Sequence, residues 1–182
     1  ETGLLGTSYF RMLPGSEPAL KHPPESDTAI RWKLLFGNIW CHASMMFRRD
    51  LLEKAGEYEN FLHAEDYDLW TRMIRHTKAA TIRSPLVYYR MHPSSICATE
   101  AEPQKDMTEI ISEREISLIT PELQREEIAL IRKCYRPYRA SRHELQAGYK
   151  FMLHLFRRLQ ERSDLDQKKL DEIRKRWMKS AL

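Results

Sequence analysis

The run His63-Ala64-Glu65-Asp66-Tyr67-Asp68-Leu69-Trp70-Thr71-Arg72 sets three carboxylates within four residues, directly ahead of an apolar helical pattern. Leu69, Trp70, Met73 and Ile74 recur on one face of a helix, which puts Glu65, Asp66 and Asp68 at its N-terminal end. Free backbone N–H groups and the helix dipole favour negative charge there. Acids in this position can simply cap a buried helix. One acid suffices for a cap, however, and adjacent helical positions point in different directions. One carboxylate can therefore be held by the scaffold while its neighbour faces a cleft, open to a proton or a cation. The same divergence weakens a reading in which Glu65, Asp66 and Asp68 bind a metal together, because neighbouring helical side chains do not converge on one ion.

The elements that must position this helix can be read on either side of it. Gly3 to Met12 predicts a buried strand, and Leu13 to Ser26, with Pro14, Gly15, Pro18, Pro23 and Pro24, predicts a loop. Asp27 is placed to cap a short helix carrying Ile30, Leu34 and Leu35, with Gly37 as its stop. Met45, Met46 and Phe47 predict a short core strand, with His42 and Ser44 alternating onto one face of it. Taken alone, His42 is more simply explained as a satisfied structural histidine. Asp50, Glu53 and Gly56 have the spacing of a capping box and a C-terminal glycine around the next helix. Behind the acidic helix, Ala79 to Ile82 predicts a strand that Pro85 breaks, and Val87 to His92 predicts another. Alternation puts Val87, Tyr89 and Met91 on one face and Tyr88, Arg90 and His92 on the other. By itself, the Arg90–His92 pair is no more than the polar face of an edge strand.

From about Pro103 onward the pattern is helical. Met107, Ile110, Ile111 and Leu118 mark one helix, and Thr120-Pro121-Glu122 predicts the start of a second. Ser141 and Glu144 predict a capping box for a third, striped by Leu145, Tyr149, Met152, Phe156 and Leu159. Ser163 to Asp166 opens a fourth, striped by Leu170, Ile173 and Trp177. The expected organisation is a domain over residues 1–98 and a helical extension over 99–182. Between Arg142 and Lys179 eleven Lys/Arg stand against six Asp/Glu, so the basic excess of the chain belongs to this tail. Such helices can dock on their own domain, pair two subunits as a homodimer, or touch an anionic membrane weakly.

A chain of 182 residues with 42% hydrophobic and 31% charged residues can fold around one core and carry much solvated helix surface. No apolar run is long enough to span a bilayer, and no signal-peptide pattern is present. The chain does not begin with Met, so it reads as a piece of a longer protein. Cys41, Cys97 and Cys134 are widely separated and form no metal or redox pair, which favours reduced thiols in a cytosolic setting. A net charge of +4 permits acidic partners such as phosphates or anionic lipid, and no nucleic-acid-binding signature accompanies it.

The blocks together carry a resemblance. Asn38-Ile39-Trp40-Cys41-His42-Ala43-Ser44-Met45-Met46-Phe47-Arg48-Arg49, Gly56-Glu57-Tyr58, Ala64-Glu65-Asp66-Tyr67-Asp68-Leu69-Trp70 and Tyr89-Arg90-Met91-His92 follow in order. In this spacing they resemble the second half of the catalytic domain of family 2 glycosyltransferases, from about Gly3 to Ile96. The fold this implies is α/β: a partial GT-A (Rossmann-like nucleotide-diphospho-sugar transferase) domain lacking its N-terminal nucleotide-binding half, then an α-helical tail. The activity it implies is inverting transfer of a sugar from a nucleotide-diphosphate donor to a glycan or lipid-linked acceptor hydroxyl, in polysaccharide biosynthesis.

By that resemblance Asp66 is the catalytic base and Glu65 orients the acceptor, with the helix N-terminus expected to lower the Asp66 pKa. Asn38, His42, Ser44, Arg48 and Trp70 fall where the family lines its cleft. Arg90 and His92 would face the donor diphosphate, and His92 could add a metal ligand. The family's divalent ion, Mg or Mn, is held mainly by an Asp-x-Asp motif in the first half of the domain, which is absent here. Asp66-Tyr67-Asp68 spells that motif but carries the flanks of the later block. The expectation is half an active site, inactive alone, working in the cytoplasm on the inner face of the membrane. The competing expectation is a non-catalytic module, in which the helical tail recruits partners or membrane and the acidic helix is only structural.

Overall fold

Residues 1–92, 99–136 and 140–181 are described by the structure, a computed structural model. Cys97, the Pro93–Ile96 end of the resemblance and the domain boundary expected at residue 98 lie outside the described residues. The chain forms two compact units, Glu1–Ile111 and Ser112–Leu182, and the division falls inside a helix.

In the first unit the long strand β1 (Thr2–Met12) is central. Three further strands, β2 (Ala19–Lys21), β3 (Met46–Phe47) and β4 (Lys78–Arg90), all pair with it. β4 runs parallel along its whole length, while β2 and β3 pair antiparallel with its C-terminal and N-terminal parts. A strand has two hydrogen-bonding edges, so β2 and β3 share the one that β4 leaves. A parallel partner needs a crossover connection, and the crossover from β1 to β4 holds every element that builds the candidate site. It contains α1 (Asp27–Leu34), a 3-10 turn at His42–Ser44, α2 (Asp50–Ala55) and α3 (Glu65–Met73).

Leu4, Ile30, Trp40, Leu51, Tyr67, Leu69, Trp70 and Met73 form the core of this unit. Gly6 is what lets Trp40 lie on β1: a Cβ there would meet the indole Nε1 at 2.3 Å. That nitrogen donates to Thr81 Oγ1 at 2.9 Å, tying the loop after α1 to β4.

Local expectations fail in instructive places. Pro85 does not end the strand; β4 continues through it with register shifts against β1 on both sides of Ser8, its partner. Proline has no N–H to offer, and an irregular register on an edge strand removes the need for one. Asp27 does not cap α1 through its own helix. It receives Ala79 N–H at 2.7 Å and Arg31 Nε at 2.8 Å, pinning α1 to the start of β4.

The second unit is built of helices in its described residues. α4 (Ala101–Ile119) crosses the division, with Ile111 and Ile116 buried, while Ile110 and Leu118, expected on its apolar face, are exposed. Thr120 does not start the next helix but donates back to Ile116 O at 2.9 Å. Instead α5 (Arg125–Tyr135) follows Gln124, whose N–H donates to Glu127 at 2.9 Å. α6 (Arg142–Gln160) opens on the expected Ser141–Glu144 capping box. α7 (Gln167–Ala181) opens behind Asp166, which accepts Lys169 N–H at 3.0 Å. Gly148 permits close approach of α5, since a Cβ would come within 2.8 Å of Leu130 O.

Met152, Leu155, Phe156, Leu159, Leu170 and Trp177 are buried. Trp177 stacks on Tyr149 with ring centroids 5.3 Å apart and donates its indole N–H to Cys134 O at 3.2 Å. The apolar stripe that a helix lying on a membrane would present is thus covered within the unit. No described helix is long and apolar enough to cross a membrane.

Candidate active site

α3 begins without a side-chain cap. Ala64 stands at its N-cap position with φ −139° and ψ 17°, and His63 before it has φ 64°, a left-handed conformation that costs a non-glycine residue energy. Gln104 from α4 donates to His63 O at 2.8 Å and holds that turn. The helix is anchored from below by Tyr67, whose hydroxyl donates to Leu34 O at 2.6 Å.

The three acids have three different surroundings. Asp68 is fully buried and accepts Arg72 Nε and Nη2 at 2.8 and 2.7 Å. Arg72 also donates to Ala55 O and Glu57 O, so this pair ties α3 to the end of α2 and is structural. Glu65 is half-exposed at the helix start. Asp66, with 16% of its side chain exposed, lies between the two.

Asp66 gathers groups from its own helix and from the connection between α1 and β3. Its Oδ1 accepts Tyr67 N–H at 2.7 Å, and its Oδ2 accepts Asn38 Nδ2–H at 2.8 Å. His42 Nδ1 stands 4.0 Å from the same Oδ2, and His42 Nε2 is hydrogen-bonded to Tyr58 Oη at 3.1 Å. The imidazole meets the buried Trp70 ring edge-to-face, centroids 5.7 Å apart at 86°. Burial pushes the Asp66 carboxyl above its ordinary value; the Tyr67 N–H, His42 and Asn38 oppose the rise, and the Glu65 charge adds to it. The helix N-terminus was expected to lower this pKa, but desolvation outweighs it. A carboxylate so raised is a stronger base than a free one. Burial and the charges of Asp66 and Glu65 also raise the Tyr58 phenol, which keeps its proton.

Of the residues expected to line a cleft, Asn38 and His42 meet Asp66, and three do not. Ser44 is buried and donates to Cys41 O at 2.7 Å within the 3-10 turn. That turn replaces the strand on which His42 and Ser44 were expected to share a face; His42 is exposed and Ser44 is not. Arg48 pairs with Glu1 and Asp50 at the start of α2. Trp70 is completely buried and forms the floor beneath His42 rather than a wall.

On β4 the expected alternation holds: Val87, Tyr89 and Met91 are half-buried, Tyr88, Arg90 and His92 exposed. Arg90 lies opposite Met12 near the end of the strand pair, and neither it nor His92 is among the partners of Asp66. Tyr58 received no role from the sequence, although it stands in the Gly56-Glu57-Tyr58 block; only the fold brings it to His42. Among the described residues no group of three His, Cys, Asp or Glu side chains could hold a metal ion.

Part of the chain is also similar to known proteins. The likeness is to glycosyltransferases. Over 79 residues the chain is 32% identical to the O-antigen biosynthesis glycosyltransferase WbnJ of Escherichia coli, covering 42% of this chain and 30% of that protein. Over 74 residues it is 31% identical to the amylovoran biosynthesis glycosyltransferase AmsE of Erwinia amylovora, covering 41% of this chain and 28% of that protein. The chain thus spans about three tenths of the length of the curated relatives it matches. No family model and no solved structure matches it.

Proposed function

We propose that this chain carries the acceptor side of an inverting, family 2-like glycosyltransferase with a GT-A catalytic domain. The carrying observation is Asp66: a mostly buried carboxylate of raised pKa, with one oxygen held by the backbone and the other turned toward Asn38 and His42. The similarity to two glycosyltransferases of O-antigen and amylovoran biosynthesis supports sugar transfer to a glycan, and a lipid-linked form of that acceptor is part of the proposal.

In this reaction the acceptor hydroxyl gives its proton to Asp66 as its oxygen bonds to the anomeric carbon. The bond from that carbon to the donor diphosphate breaks on the opposite side, and the electron pair leaves with the diphosphate. Attack from behind the leaving group inverts the centre. Glu65 at the helix start orients the acceptor. Arg90 and His92, exposed at the end of β4, meet the negative charge of the departing diphosphate. The nucleotide-binding strands and the Asp-x-Asp block of that family are not among the blocks this sequence carries.

The test is Asp66→Asn in the native full-length protein. Transfer would be followed from a panel of nucleotide-diphosphate sugars into lipid-linked glycan of a membrane fraction. Turnover should fall by about 10²–10⁴-fold while nucleotide-sugar binding persists. Turnover close to that of the unaltered protein would return Asp66 to a helix-capping role.

A further inference from the structure

The 4.0 Å gap between His42 Nδ1 and Asp66 Oδ2 is too wide for a hydrogen bond and suits one oxygen atom bonded to both. We propose that the acceptor hydroxyl sits in this gap, donating to Asp66 Oδ2 and accepting from His42 Nδ1–H, and that Tyr58 fixes the imidazole tautomer that makes this possible. The proposal rests on the assignment of Asp66 as the base.

The tautomer follows from the neighbours. In a neutral imidazole one ring nitrogen carries the proton and the other a lone pair. Asp66 as a carboxylate only accepts, so a lone pair on Nδ1 would face oxygen lone pairs, whereas Nδ1–H is attracted to them. With the proton on Nδ1, Nε2 is an acceptor, and the 3.1 Å contact to Tyr58 is then an O–H donated by the phenol. The edge-to-face packing on Trp70 and the 3-10 turn at His42–Ser44 hold the ring in place.

A hydroxyl seated in the gap is fully specified. Its proton points at Oδ2, one lone pair is taken by Nδ1–H, and the other is free for the anomeric carbon. The same oxygen of Asp66 already receives Asn38 Nδ2–H, which fixes the carboxylate plane. His42 is therefore a catalytic residue that touches the acceptor, and Tyr58 is a positioning residue acting through it. Tyr58 is about half exposed, so acceptor atoms beyond the hydroxyl can reach its ring as well.

The decisive measurement needs no ligand. ¹⁵N shifts of the imidazole nitrogens, recorded on the native protein at about pH 8, above the ordinary histidine range, report which nitrogen carries the proton. The expected result is Nδ1–H in the unaltered protein and a shift toward Nε2–H in Tyr58→Phe. Nε2–H in the unaltered protein overturns the proposal whatever Asp66→Asn does to transfer. Unchanged shifts in Tyr58→Phe remove Tyr58 from it. If the tautomer is Nδ1–H yet Asp66→Asn transfers sugar normally, the base assignment falls instead, and the seat for the hydroxyl falls with it. In the transfer assay Tyr58→Phe should lower acceptor kcat/KM about tenfold and leave donor KM unchanged, the scale of one lost hydrogen bond.

Discussion

The N-terminus of α3 and the N-terminus of α6 use acids in opposite ways. At α6, Ser141 accepts Glu144 N–H at 3.3 Å and Glu144 accepts Ser141 N–H at 2.8 Å, so the acid is consumed by its own helix. Lys133 binds the same carboxylate, and together these contacts hold Glu144 down to about 2. At α3 there is no side-chain cap, the preceding turn is strained at His63, and Asp66 is raised by burial rather than lowered. A carboxylate satisfied by its own backbone is a stabilising element. One raised by burial and bonded across to Asn38, as Asp66 is, has the environment proposed here for a base.

The contrast is broken most directly by exchanging which acid is removed. Glu144→Gln should leave sugar transfer unchanged, whereas the loss at Asp66 is the largest effect expected in the molecule. If both changes reduce transfer alike, the difference between the two helix starts has no functional meaning.

Next in size is the third acid of the same turn. Asp68→Ala leaves the Arg72 guanidinium buried without its carboxylate, and should destabilise the protein by about 3–5 kcal/mol in urea unfolding. Asp66→Asn should unfold at nearly the same denaturant concentration as the unaltered protein. A fragile Asp66→Asn would mean that Asp66, like Asp68, is scaffold.

Smaller still is the cap on α6. Ser141→Ala should cost about 1 kcal/mol and leave transfer intact. Equal stability of the two proteins would show that Glu144 alone serves that helix end.

The smallest effect is on the pH dependence of stability, and the two acids oppose each other. Glu144 has a folded pKa below its unfolded value. Its contribution is present above the ordinary glutamate range and is lost as pH falls from there through about 2. Asp66 has a folded pKa above its unfolded value, so its ionisation costs the fold, and that cost is relieved as pH falls through the folded value. Unfolding across acid pH should therefore show a weaker acid loss in Glu144→Gln. For Asp66→Asn the difference from the unaltered protein should shrink as pH falls. The reverse slopes would contradict the assigned environments.

Much of the local architecture was legible in the residues, because capping boxes and apolar stripes act over three or four positions. The Ser141–Glu144 box, the stripe of Met152, Phe156 and Leu159 and the alternation from Val87 to His92 all appear as the sequence implies. What failed depended on distant neighbours. Pro85 is tolerated because β1 absorbs an irregular register opposite it, and Asp27 serves β4 because the crossover returns Ala79 to it.

For the site, the sequence by itself determined that acids stand at the start of a buried helix and that Asn38, His42 and Tyr58 lie upstream of it. The resemblance pointed to Asp66, and only the tertiary structure shows that Asp68 is spent on Arg72 while Asp66 meets Asn38 and His42. The physical reason is that desolvation and hydrogen-bond satisfaction are properties of surroundings, not of residue type. Asn38 lies 28 residues from Asp66, and Tyr58 lies 16 from His42. No local rule spans those separations; the packing of α3 beneath the His42 turn brings the groups within reach of one another.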